Sequence, residues 1–144
     1  AVIYIVQNIV PILAATVAAF LFGGVYYRIV RAPWLRAAGL NADAAEARPG
    51  VLHYAGIFAA EFWMAAILAG AVILAPADQG AGPWTMALGS AFIIWIGFVL
   101  PALFVSYGVA GLSRRLFAFD ALHWLLVMIG MAAVIRAVGV TGPV

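Results

Sequence analysis

Apolar positions along the 144 residues gather into four blocks separated by short polar links. Each block is close to the ~20 residues that a helix needs to cross roughly 30 Å of hydrocarbon. The pattern predicts spans over about 9–27, 51–75, 84–107 and 121–140. The first block holds Gln7, Asn8 and Pro11 near its start, so Asn8 is expected to cap a helix beginning at Ile9, with Pro11 tolerated in the first turn. Gly23 and Gly24 near its other end allow close approach of a second helix.

The connection from Arg28 to Gly50 is the longest polar stretch. Its middle, PWLRAAGL, mixes Trp34, Leu35 and Leu40 with Arg36, which suits a segment lying in the headgroup region. Asp43 followed by Glu46 has the spacing of a capping box, and Pro49-Gly50 ends that turn before the second span. The next link, PADQGAGP, carries no basic residue. Pro101 lies inside the third block and removes a backbone hydrogen bond, so a kink is expected near Gly97 to Pro101. Asp120 is expected to cap the last span, which begins at Ala121 and includes Arg136.

Composition turns these blocks into a membrane protein. The chain is 68% apolar and 8% charged, against roughly 45–50% and about 25% for a soluble domain. Seven basic and five acidic residues cannot cover the surface of a soluble fold this long. The expected architecture is an all-α, integral membrane four-helix bundle forming one transmembrane domain over residues 1–144. There is no cysteine, which excludes disulfides, thiolate metal sites and cysteine nucleophiles.

All seven basic residues are arginines. Arg28, Arg31, Arg36, Arg114 and Arg115 lie beside the membrane and do not form a nucleic-acid stripe; anionic lipid headgroups are their expected partners. Six of the seven fall in the first and third connections, counting Arg48, and none in the second. The positive-inside rule then sets those connections on the cytoplasmic side and both termini on the outer, periplasmic side of a bacterial inner membrane. Tyr26, Tyr27, Trp34, Tyr54, Tyr107 and Trp124 fall at the same level, as an interfacial aromatic belt would.

The segment GGVYYRIVRAPWLRAAGL resembles the end of the first span in a family of small bacterial four-helix membrane proteins, catalogued as domain of unknown function one-seven-six-one. The shared features are Gly24, Tyr26, Tyr27, Trp34, Arg36, Gly39 and Leu40. The third span, GSAFIIWIGFVLPALF, is similar to that family's Gly-rich helix, and His123 and Gly130 fall at matching places in the last span. The resemblance implies a four-span fold and no particular activity.

Few residues inside the spans carry chemistry. Glu61 sits near the middle of the second span, where a carboxyl is costly and by default faces the bundle with a partner. Arg136 is the one cation within a span, and its expected roles are an ion pair with Glu61 or a reach into the outer headgroups. His53 and His123 lie at similar depth near the starts of their helices, where two imidazoles could ligate a haem or chlorophyll-type pigment; the alternative is that each is a polar anchor, His123 pairing with Asp120. No other cofactor and no metal site is expected. Familiar enzyme motifs are absent, including His-Glu-x-x-His, Gly-x-Ser-x-Gly and the phosphate-binding loop.

The sequence therefore points first to a non-catalytic accessory or structural subunit that meets other integral membrane subunits through its apolar surface. The alternative is a small proton-linked or small-molecule transporter using Glu61, with Pro101 and Arg136 near its centre. A haem- or pigment-binding protein using His53 and His123 is third.

Overall fold

The computed structural model describes residues 2–41, 49–75 and 80–142, and these are helical apart from short links. A single turn α1 (Ile3–Gln7) leads into α2 (Ile9–Ile29) and the short α3 (Arg31–Ala38); α4 (Val51–Leu74) follows. The third long segment is composite: α5 (Pro83–Ile94), a π turn over Trp95–Val99, and α6 (Leu100–Val109). The last helix is α7 (Arg114–Val138). Four helical segments, Ile9–Ile29, Val51–Leu74, Pro83–Val109 and Arg114–Val138, are long and apolar enough to cross a membrane.

Local chemistry accounts for most of the boundaries. The break between α1 and α2 falls at Asn8, three residues before Pro11, whose missing N–H cannot continue a helix from α1. Helix α3 stops at Gly39, which takes φ +70° and lets Leu40 N–H donate to the Leu35 carbonyl, a turn that disfavours a β-carbon. In the third span the irregularity near Pro101 takes the form of the π turn. Proline offers no N–H to the Gly97 carbonyl and its ring crowds it. Leu100 N–H reaches back five residues to the Trp95 carbonyl.

Two of the expected caps differ. The last span starts at Arg114, one full turn and more before Ala121, and is capped by Ser113, whose Oγ accepts from Leu116 N–H. Asp120 is therefore inside α7. Asn8 stands at the start of α2 but makes no side-chain cap; its amide donates to the Tyr4 and Thr141 carbonyls, and its oxygen accepts from Thr141 N–H at 2.8 Å. That side chain joins the two ends of the chain. The Asp43–Glu46 capping box and Arg48 lie outside the described residues.

Helix α7 is the centre of the bundle, packing against α2, α3, α4, α5 and α6. The core joins Ile12, Ala15 and Ala19 of α2 to Ala65, Ala66, Leu68 and Ala69 of α4, Ala91 of α5, and Val127, Met128, Met131, Ala132 and Ile135 of α7. Alanines supply much of it, which lets helix backbones approach closely where lipid offers little hydrophobic drive.

Candidate functional site

The polar residues of the arginine-bearing end converge on one side chain, Asp120, which is 6% exposed on the inward face of α7. Tyr27 of α2 donates its hydroxyl to Oδ1 at 2.7 Å, and Trp34 of α3 donates Nε1–H to the same oxygen at 2.9 Å. Tyr107 of α6 donates to Oδ2 at 2.5 Å. A carboxylate accepts and does not donate, so two hydroxyls and one indole N–H on its two oxygens are all satisfied. At the two residues flanking Asp120, Tyr26 donates to the Phe119 carbonyl at 2.7 Å, and Trp95 donates to the Ala121 carbonyl at 3.0 Å. The end of every long segment except α4 is thereby tied to one stretch of α7.

Four residues of the expected aromatic belt thereby bond inward. Tyr26, Tyr27, Trp34 and Tyr107 turn their polar tips to α7, because a buried acceptor offers them a stronger bond than interfacial water. Tyr54, 47% exposed, keeps an outward position. Sequence reasoning took Asp120 for a cap; the signal available was a run of tyrosines and a tryptophan at the level of one aspartate.

His123, one turn deeper, is 4% exposed and boxed by Tyr27, Trp124 and Tyr26 at ring-centroid distances of 4.7, 4.9 and 5.3 Å. Both its ring nitrogens are buried without a hydrogen-bond partner among the described residues. The expected pairing with Asp120 is not formed, since tyrosine and tryptophan donors occupy that carboxyl. A β-carbon built on Gly23 would lie 3.2 Å from Nε2, so the α2 backbone closes the space ahead of that nitrogen. A haem needs that space open. His53 is exposed at the start of α4, with Tyr54 as its ring neighbour, and no contact joins it to His123. The structure thus leaves the two histidines apart, and among the described residues no group of three or more His, Cys, Asp or Glu is arranged to hold a metal ion.

Glu61 is 2% exposed on α4, and its Oε2 is buried with no hydrogen-bond partner. Among the described residues no ion pair joins it to Arg136. That arginine is in the last turn of α7 and partly exposed, where the helix dipole favours a cation.

At the opposite edge of the Asp120 cluster, Ser113 donates its hydroxyl to the Ala37 carbonyl at 2.7 Å and clips α3 to the start of α7. Beside this clip is a groove of about 380 Å³ lined by Pro33, Arg36, Ala37, Ser113, Arg115 and Phe119. Of the membrane-surface arginines, Arg36 and Arg115 line it; Arg28, Arg31 and Arg114 do not.

A family model described as a protein of unknown function, DUF1761, matches residues 10–136. No curated protein and no solved structure matches the chain.

Proposed function

The chain belongs to the DUF1761 family of unknown function, and from that footing we propose that it is an interaction subunit of a larger membrane assembly, with its third span as the docking helix. The supporting observation is the uneven burial of the spans. In the most apolar window of Pro83–Val109 only 6% is buried by the rest of the chain, against 28%, 28% and 39% for the first, second and fourth spans. Ile93, Phe98, Phe104 and Val105 are 66%, 74%, 69% and 63% exposed on it. The π turn adds to the case, because such turns sit in helices most often where function demands an irregular surface. The occupant of this face is a transmembrane helix of another protein, held by packing. In this reading the arginine-bearing end faces the cytoplasm of a bacterial cell and both termini lie outside.

Native mass spectrometry after gentle solubilisation tests the proposal. A heteromeric complex is expected; recovery only as a lone monomer or homodimer contradicts it.

One observation favours a second reading, a proton-linked or small-molecule carrier: Glu61 holds a buried carboxyl oxygen that has no hydrogen-bond partner among the described residues. Transport in proteoliposomes that is lost in Glu61→Gln would support it, and flux equal to that of empty vesicles would count against it.

A further inference from the structure

We propose that the groove between α3 and the start of α7 is a specific site for one phospholipid with an anionic, phosphate-ester headgroup, gripped by Arg36 and Arg115. Three features carry this. Arg36 and Arg115 come from different helices and line one cavity. Guanidinium forks match phosphate oxygens two at a time, which a diffuse charged surface cannot do.

The clip between Ser113 Oγ and the Ala37 carbonyl fixes α3 against the start of α7, so the backbone positions from which Arg36 and Arg115 project are set before a ligand arrives. Trp34, rooted on Asp120 through Nε1, anchors the same short helix from its inner face. The helix framework of the groove is thus fixed in advance, which leaves only the two arginine side chains to order on binding.

The lining also selects a lipid over free phosphate. Pro33, Ala37 and Phe119 give it apolar walls beside the charged pair. About 380 Å³ is far more than a bare phosphate fills, and the groove lies at the end of the spans, where headgroups lie and acyl chains can continue along the exposed helix faces. Arg114 supplies an internal control: it neighbours Arg115 in sequence, is exposed, and does not line the groove.

The test is native mass spectrometry of the full chain released from nanodiscs of mixed phosphatidylcholine and phosphatidylglycerol. One retained phosphatidylglycerol is expected on the wild type. Arg36→Gln and Arg115→Gln should each lower its retention by about tenfold, the effect of losing one charge-assisted hydrogen bond. Arg114→Gln should retain it as the wild type does. Arg36→Lys, which keeps charge and loses the fork, should fall between and guards against a variant that fails to fold. Equal losses in all three glutamine variants, retention without preference for the anionic lipid, or complete displacement by inorganic phosphate would each overturn the proposal.

Discussion

Tyr107 and Asp120, thirteen residues apart on two different spans, are joined by a hydroxyl-to-carboxyl hydrogen bond of 2.5 Å. It fastens the otherwise little-buried third span to the centre of the bundle. Tyr27 and Trp34 draw α2 and α3 to the same carboxyl.

Removing either side of this clamp should cost stability in proportion to the donors stranded. Tyr107→Phe deletes one bond and is expected to lower stability by about 1–2 kcal/mol; Asp120→Asn presents an amide N–H to groups that are themselves donors and should cost about 2–3 kcal/mol. Thermal melts in detergent measure both. Equal melting temperatures for Asp120→Asn and the wild type would mean that the clamp contributes nothing.

Gly23 and Gly24 are neighbours with opposite expectations. Alanine is favoured over glycine inside a helix by about 1 kcal/mol. At Gly24 a β-carbon meets nothing within 4 Å, so Gly24→Ala should be neutral or slightly stabilising. At Gly23 it meets His123 Nε2 at 3.2 Å, and His123 is boxed by aromatic rings on its other sides. Gly23→Ala should therefore melt below Gly24→Ala; the reverse order would show that His123 moves aside freely.

Glu61 and Arg136 should behave independently. With no ion pair between them, a double-mutant cycle of Glu61→Gln and Arg136→Gln is expected to give a coupling energy below about 0.5 kcal/mol. A coupling of several times that size would place the two groups in contact.

The spans were legible because a bilayer imposes length and hydrophobicity on each helix separately. Ile9 and Val51 start helices where the pattern sets them. The start of α7 was not legible in that way: Arg114 and Arg115 read as a loop, since basic residues oppose the dipole of a helix N-terminus. Moving that boundary carried Asp120 from cap to core. The clamp then depends on contacts 93, 86 and 13 residues apart, which no local pattern encodes. Glu61 was identified as the odd charge of its span, but whether a partner met it depended on how α4 and α7 turn relative to each other. His53 and His123 shared a predicted depth, but the earlier start of α7 carries His123 into its third turn, where it is buried, while His53 stays exposed in the first turn of α4.

The most direct test of the docking helix is photo-cross-linking in the native membrane from Phe98, 74% exposed on the third span, compared with Leu21, 62% exposed on the first. A probe at position 98 is expected to capture a discrete second protein while a probe at 21 captures lipid. Lipid alone at both positions, or the same products from each, would contradict the account.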